Sequence, residues 1–220
     1  MTQPQQFVRP QPFGGRPVIQ FRDDHSRRRF LQTALVVGAG SSLVAAAAAM
    51  RGDPRAVADA TANDLDILNY ALTLEHLEAE FYTQGLDSGV LGGRDLELVE
   101  PIRDHEQAHV EAVTQTITDL GGEPVDKPSF MFPDGTFDDK DMFLTNASAF
   151  EELGVTAYHG QVPRIDDADI LAAAAAIAGV ESRHAAIVAD LLGENPFPSP
   201  FEKTMTMEQV LEQASTFIEQ

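Results

Sequence analysis

The chain of 220 residues contains no cysteine. Disulfide bonds and thiolate metal ligands are therefore excluded, and a metal ion would have to be held by Glu, Asp or His. These ligand types suit iron or manganese better than a structural zinc ion. The sequence also lacks any clear strand pattern, while apolar residues recur at helical spacing over long segments, so the sequence predicts an all-α protein.

Basic side chains are scarce: 15 Lys and Arg stand against 35 Asp and Glu, a net charge of −20. Six of the arginines lie in residues 1–50, and the remaining 170 residues carry 9 basic and 33 acidic side chains. Such an acidic surface disfavours nucleic acid and anionic membranes, so we expect no nucleic-acid partner. Two interpretations of the acidity stay open, namely adaptation to high salt, which screens self-repulsion, and an ordinary acidic secreted protein.

Residues 1–50 differ in character from the rest of the chain. Residues 1–25 are polar and rich in Pro and Gln, a composition typical of disorder. Ser26–Gln32 (SRRRFLQ) fits the twin-arginine export consensus, and an apolar run from Leu31 to Met50 follows it. The run is long enough for a membrane anchor, but its Ala, Gly and Ser content and its Ala-x-Ala sites favour a cleaved signal. We therefore expect the twin-arginine export machinery to deliver the protein to the periplasm, the cell surface or the exterior.

Apolar periodicity and capping signals divide the remainder of the chain. Residues 51–62 are predicted to form a polar linker, residues 63–192 a four-helix bundle, and residues 193–220 a tail with a short helix. Within the bundle, helices are predicted at about residues 63–84, 95–120, 141–160 and 168–192. The connection Glu123–Asp141 is too long for a tight turn and carries three Phe, so we expect a crossover packed along the bundle. Pro101 predicts a kink in the second helix or a start at that point.

The predicted helix boundaries rest on specific residues. Asn63 or Asp64 is expected to cap the first helix, and Gly85 to end it. Asp166 or Asp167 is expected to cap the fourth. The first helix also carries a second apolar stripe, which must face either another chain or a later segment of this one, so a homo-oligomer stays open.

One pattern of Glu, Tyr and His occurs twice, with about 75 residues between the copies. In each copy a Glu is followed seven residues later by Tyr, and about 30 residues later by a Glu-x-x-His pair. The copies are Glu75, Tyr82, Glu106 and His109, then Glu151, Tyr158, Glu181 and His184. On helices, this arrangement places four Glu and two His in the core of an antiparallel bundle. Their charges would be poorly solvated there unless cations bind between them, which makes these six residues candidate metal ligands.

Tyr82 and Tyr158 lie on the same helix faces as Glu75 and Glu151, since seven residues are almost two turns. A buried hydroxyl needs a partner, and we expect a ligand on a facing helix to provide one, so that both tyrosines support the chemistry of the site without binding metal. Ordinary aromatic packing is the alternative.

Five other residues are weaker candidates. Glu78 is on the site face of the first helix and is a possible spare ligand or bridge. Glu152 neighbours Glu151 but does not repeat the spacing to tyrosine. His76 and His105 are expected to turn about 100° away from the site, toward solvent or an interface. His159 is expected either to line the mouth of the site or to lie at the surface.

Four segments together resemble the ferritin-like domain family, and in particular its exported branch, which includes plant desiccation-related proteins. They are LTLEHLEAEFY (72–82), HEQAH (105–109), FEELGVTAYHG (150–160) and VESRH (180–184). The resemblance implies an antiparallel four-helix bundle that holds two iron or manganese ions. In this family each ion has one terminal Glu and one His, and two further Glu bridge both ions. The resemblance therefore implies that Glu75 and Glu151 are the terminal ligands and that Glu106 and Glu181 are the bridges. His109 and His184 would each bind one ion.

The same resemblance implies redox chemistry with O₂ or peroxide at the two ions. Two other functions stay open: a non-catalytic stress or desiccation protein with structural or binding duties, and a manganese catalase-like enzyme. The export signal and the Phe-rich crossover depart from the cage-forming ferritins and argue against a storage shell.

Overall fold

The computed structural model describes residues 54–219, and the export segment lies outside them. Within this range the secondary structure is helical, apart from one isolated bridge between Phe130 and Ile218. The α-helices are α1 (Pro54–Ser88), α2 (Arg94–Asp119), α3 (Lys140–Gln161), α4 (Ala168–Leu192) and α5 (Met207–Ala214). Short 3₁₀ turns, Val162–Arg164 and Ser215–Phe217, follow α3 and α5. The all-α prediction is confirmed.

The four long helices form two antiparallel hairpins, α1 with α2 and α3 with α4. At one end of the first hairpin, Asn69 of α1 accepts a hydrogen bond from the backbone of Val125, just beyond α2 (2.8 Å). Nearer the turn of this hairpin, Gln107 in the middle of α2 donates to Thr83 of α1 (3.5 Å). The second hairpin repeats the first, so that residues of α1 correspond to residues of α3 that lie 76 positions later in the sequence.

The first helix begins earlier than predicted. Because α1 starts at Pro54, the prediction of a linker over residues 51–62 is wrong for residues 54–62. Proline is favoured in the first helical turn, and four alanines follow by Ala62, which gives the segment high helix propensity.

Asn63 and Asp64 consequently lie inside α1 and do not cap it. The buried carboxylate of Asp64 accepts hydrogen bonds from the backbone N–H groups of Asp166 and Asp167, both at 2.9 Å. Asn63 donates to the carbonyl of Arg164 at 2.8 Å. Short polar side chains of the capping type also bond to backbone groups of other segments, and here they fix the α3–α4 connection to α1.

Gly85 does not end α1, which continues to Ser88 and stops before Gly89, where φ is +72°. A Cβ at residue 85 would come within 2.1 Å of the Phe143 ring. Glycine is therefore present at position 85 because α3 approaches α1 closely there, which sequence alone does not distinguish from a helix end.

The other boundaries agree closely with prediction. α2 begins upstream of Pro101, so a start at this proline is wrong. It ends at Asp119, and Gly121, just beyond the C-cap, has φ +77°, the left-handed conformation expected after a helix stop. The Asp167 side chain caps α4 by accepting from the backbone N–H groups of Asp169 and Ile170 (2.7 and 3.0 Å).

α4 is, within the described part of the chain, the one helix apolar and long enough to span a membrane, with mean hydropathy 1.3 over its most apolar window. Its alanine run accounts for much of this value. Of this window 28% is buried, and Glu181 and His184 of α4 are among the residues buried in the bundle.

The crossover packs along the bundle as predicted. Phe132 and Phe137 lie against Phe81 of α1, with ring centroids 5.4 and 5.7 Å apart. The C-terminal segment holds the crossover in place, because Met131 donates its backbone N–H to the carbonyl of Phe217 at 2.8 Å. The second apolar stripe of α1 is thereby buried against segments of the same chain.

Candidate metal centre

The structure brings all six candidate ligands together in the middle of the bundle. One Glu comes from each of α1 and α3, and a Glu-x-x-His pair comes from each of α2 and α4. All are buried; the most exposed of them is His109, at 9%. The six are Glu75, Glu106, His109, Glu151, Glu181 and His184.

The ligand atoms form two overlapping groups that share two carboxylates. Glu75 and His109 belong to one group, and Glu151 and His184 to the other; Glu106 and Glu181 belong to both. Within each group, one N or O atom from every residue lies within 4.8 Å of the others. This is the grouping expected of two adjacent cations with shared carboxylates.

Both histidines turn the same ring nitrogen toward the carboxylates. His109 Nδ1 lies 3.2 Å from Glu75 Oε2, 3.2 Å from Glu106 Oε2 and 3.1 Å from Glu181 Oε1. His184 Nδ1 lies 2.8 Å from Glu106 Oε1 and 3.6 Å from Glu151 Oε2. Each imidazole therefore faces its own Glu and the shared pair, and the two rings lie with centroids 6.2 Å apart.

Two tyrosines hold the unshared carboxylates across the bundle. Tyr82 of α1 donates to Glu151 of α3 at 2.5 Å, and Tyr158 of α3 donates to Glu75 of α1. Each tyrosine thus positions the Glu of the other repeat. As predicted, each buried hydroxyl bonds to a carboxylate on a facing helix.

Glu78 is a fifth buried carboxylate at the site, 3% exposed. Its Oε1 atom would lie 2.8 Å from a Cβ added to Gly154, the residue that corresponds to Glu78 in the other repeat. The same Cβ would lie 3.2 Å from Glu181 Oε2. The two repeats are therefore complementary at this position, because one supplies a carboxylate and the other the space for it.

His105 contacts the site, contrary to the expectation that it turns away. Its Nδ1 lies 2.8 Å from His184 Nε2, and the two rings stack with centroids 5.1 Å apart. Since His184 Nδ1 faces the carboxylates, His105 contacts the opposite nitrogen of the same ring. The signal in the sequence was the four-residue step from His105 to His109, which puts neighbours on one helix face.

The remaining weak candidates lie outside both ligand groups. Glu152 is exposed, while His76 and His159 are half-buried. None of the three belongs to the clusters that the described residues form.

One carboxylate of the cluster is strongly acidic. Burial raises the pKa of Glu106, but the imidazoles of His109 and His184 outweigh it and lower this pKa to about 2. Burial likewise lowers the pKa of each imidazole, but the adjacent carboxylates have the larger, opposite effect. They raise the pKa of His184 to about 10 and that of His109 further.

The other carboxylates are weak acids. Burial raises the pKa of Glu75 to about 7, against the opposing effect of His109. Burial, together with repulsion from neighbouring carboxylates, holds the pKa of Glu78 and of Glu181 well above the usual range. Burial also raises the pKa of Glu151. Near neutral pH, protons on these groups therefore offset the charge that cations would otherwise neutralise.

Several buried ligand atoms make no well-aligned hydrogen bond to a described residue, although some of them lie close to an oppositely charged atom of the cluster. They include Glu106 Oε1, Glu151 Oε2, both carboxylate oxygens of Glu181, and His184 Nδ1. Unpartnered buried polar atoms are costly, and here they face one another across a shared centre. A set of carboxylate oxygens and imidazole nitrogens of this kind is compatible with a metal site.

The sequence belongs to the ferritin-like domain family, whose sequence model matches residues 63–194. No curated protein matches the chain. Among solved structures, the chain is similar to the crystal structure of a hypothetical protein from Methanococcus jannaschii. The two share 14% sequence identity and a TM-score of 0.45, over 78% of this chain and 100% of the other.

Proposed function

We propose that this protein binds two iron or manganese ions in the ferritin-like bundle and reacts with O₂ or peroxide there. The observation that supports the proposal most strongly is the pair of ligand groups that share Glu106 and Glu181. A site for a single ion would need only one of these groups. Two groups with shared carboxylates favour a dinuclear site with two bridging ligands.

In this proposal Glu75 and His109 hold one ion, and Glu151 and His184 hold the other. Bound there, two ions of variable oxidation state would supply one electron each, enough to reduce O₂ to peroxide or peroxide to water. The protein residues adapt to their binding by losing protons: His109 and His184 become neutral, and the carboxylates become anionic. Tyr82 and Tyr158 keep Glu151 and Glu75 oriented throughout, since their hydroxyls are hydrogen-bonded to these carboxylates.

The surroundings of the cluster also suit such chemistry. Around Tyr82, the rings of Phe81 and Phe143 pack at 5.3 and 6.0 Å and exclude water from that side. His105 contacts His184 and is itself exposed, so the cluster lies one imidazole away from solvent on the α2–α4 side. Export through the twin-arginine pathway belongs to the same proposal; its support is the SRRRFLQ motif alone.

The test is reactivity of the loaded protein. The purified protein would be loaded with Fe(II) or Mn(II) without oxygen, then exposed to O₂ or H₂O₂ while consumption is recorded. We expect the wild type to consume at least one of these oxidants. Glu106→Ala with Glu181→Ala should lower the rate by at least about 100-fold, because both shared ligands are lost.

A matched control is Glu111→Ala with Glu152→Ala, which removes two exposed carboxylates from the same bundle elements as Glu106 and Glu151. This variant should react like the wild type. Steady release of O₂ from H₂O₂ without a reductant would identify catalase-like chemistry. Ion binding with no consumption of either oxidant would contradict the redox proposal and favour a non-catalytic role.

A further inference from the structure

An apolar cavity lies in the half of the bundle that contains Tyr158. The part of it that admits the centre of a water-sized molecule is only about 30 Å³, and the whole space between side chains of all four bundle helices, including its opening to solvent, is about 560 Å³. Aliphatic residues form most of the wall, among them Ile67, Leu74, Ile170 and Ile177. Only part of this space is enclosed, so the cavity suits a molecule of one ring or a short chain.

The corresponding region of the other repeat is filled. Wall residues Ile67, Leu74 and Ala157 correspond, 76 positions away, to aromatic residues. Those counterparts are Phe143, Phe150 and Phe81, all buried, with Phe81 in ring contact with both others at 4.7 and 4.8 Å. Smaller side chains in one repeat thus leave open the space that a phenylalanine cluster occupies in the other.

Two polar side chains in this apolar wall lack a partner. Tyr70 is 6% exposed and Gln161 is 3% exposed, and both line the cavity. Neither the Tyr70 hydroxyl nor either polar atom of the Gln161 amide bonds to another described residue. An unpartnered hydroxyl and amide are costly inside a protein and suggest a partner that the chain itself does not supply.

The other polar groups of the wall are already committed. The Thr116 hydroxyl donates to the carbonyl of Ala112 at 2.8 Å, and the Tyr158 hydroxyl donates to Glu75. Tyr70 and Gln161 are therefore the groups that can give a ligand orientation and specificity. Because Tyr158 both lines the cavity and bonds Glu75, a bound molecule would contact a residue that touches the metal cluster.

We propose that this cavity is a binding site for a small, mostly apolar molecule with one hydrogen-bonding group, such as a hydroxyl. The apolar part packs against the aliphatic wall, and the polar group bonds with Tyr70 and Gln161. Binding itself does not depend on metal; that the molecule is a substrate or effector of the cluster rests on the function proposed above.

The probe is p-cresol, with toluene as its analogue without the hydroxyl, and binding to the wild-type protein is measured by calorimetry with and without added Mn(II). We expect p-cresol to bind about tenfold more tightly than toluene, since the buried polar groups gain partners only from p-cresol. Tyr70→Phe and Gln161→Leu should each remove most of this preference, while Thr116→Val should keep it.

Filling the cavity provides an independent test. Ala157→Phe copies the residue of the other repeat and should abolish binding of both probes, and Ala174→Leu on α4 serves if the first variant fails to fold. Undetectable p-cresol binding to the wild type, equal affinity for the two probes, or unchanged affinity in Gln161→Leu would overturn the proposal and indicate that water alone occupies the polar end. Metal stoichiometry of the same samples is measured separately, so failure of the cavity and failure of the metal site give different results.

Discussion

The carboxylate of Glu78 lies in the space that a side chain at residue 154 would occupy. A Cβ on Gly154 would come within 2.8 Å of Glu78 Oε1, although these two residues occupy equivalent positions in the two repeats. The site is therefore asymmetric in its fifth carboxylate. A side chain at residue 154 together with Glu78 would not fit the present packing.

Gly154→Ala should consequently disturb the site. The new methyl group must displace Glu78 and press on Glu181, so we expect a loss of stability of about 1–3 kcal/mol and weaker metal binding. Urea unfolding and metal titration measure both effects. Gly179→Ala is the control, since nothing lies within 4 Å of a Cβ there and alanine should stabilise the helix slightly.

Adding Glu78→Ala to Gly154→Ala should recover most of the lost stability, because the displaced carboxylate is then absent. If the double variant is no more stable than Gly154→Ala alone, the contact between these two residues is not the source of the effect.

The hydroxyls of Tyr82 and Tyr158, which bond to carboxylates, should contribute more to stability than the hydroxyl of Tyr70. Tyr158→Phe removes the donor to Glu75 Oε1 and leaves His109 as the partner of Oε2, so it should cost about 1–3 kcal/mol of stability in the metal-free protein. Tyr70→Phe removes a hydroxyl without a protein partner and should be neutral or stabilising. Thermal unfolding measures the stability of both variants. Equal losses of stability would contradict the hydrogen bond between Tyr158 and Glu75.

The pH dependence of stability should reverse when metal binds. The pKa of Glu75 is raised to about 7 and that of His184 to about 10 in the folded protein. A raised folded-state pKa stabilises the fold at low pH, and this contribution is lost as pH rises through the folded-state value. The lowered pKa of Glu106, about 2, stabilises the fold at neutral and alkaline pH, and this contribution is lost only in acid, as pH falls toward 2.

The free energy of unfolding of the chelated protein should therefore fall by on the order of a few kcal/mol between about pH 5 and pH 10. With Mn(II) present, the stabilisation by metal should grow over the same range, because binding releases the protons. Urea titrations at pH 5.5, 7.5 and 9.5, with and without Mn(II), test whether the free energy of unfolding changes with pH in these directions. Metal-free stability that rises steadily toward pH 9.5 would refute the protonated state of the cluster.

The proposed export rests on the motif SRRRFLQ, which lies outside the described residues. Arg27→Lys with Arg28→Lys should trap the precursor in the cytoplasm, since the export receptor reads the arginine pair. Arg29→Lys, at the variable position of the consensus, should be exported normally. Fractionation and immunoblotting distinguish the two; normal export of the double variant would show that the motif is not a signal.

The sequence predicted the features that depend on periodicity. Glu75, Tyr82, Glu151 and Tyr158 all face the core because steps of three, four and seven residues return to one helix face. The repeated Glu-x-x-His pairs then placed their side chains in the same core. These relations follow from helix geometry and need no knowledge of how the helices cross.

Features that depend on close packing between helices were not predictable. Gly85 was read as a helix end because the Phe143 ring that requires it comes from a different helix. Glu78 was recognised as facing the site, but its fit against Gly154 depends on the approach of α3 to α1. His105 was expected to point away because only its step to Glu106 was considered, while its contact is with His184 on α4.

The central claim is that two ions share Glu106 and Glu181, and the number of ions bound by single variants tests it most directly. Anaerobic Fe(II) titration, with metal analysis after gel filtration, should give two ions per chain for the wild type and for Glu152→Ala. Glu75→Ala should retain about one, because Glu75 belongs to a single ligand group, whereas Glu106→Ala should retain almost none. Helix content by circular dichroism confirms that each variant is folded. A wild-type protein that binds fewer than about one ion, or a Glu106→Ala variant that binds as many as Glu75→Ala, would contradict a shared dinuclear site.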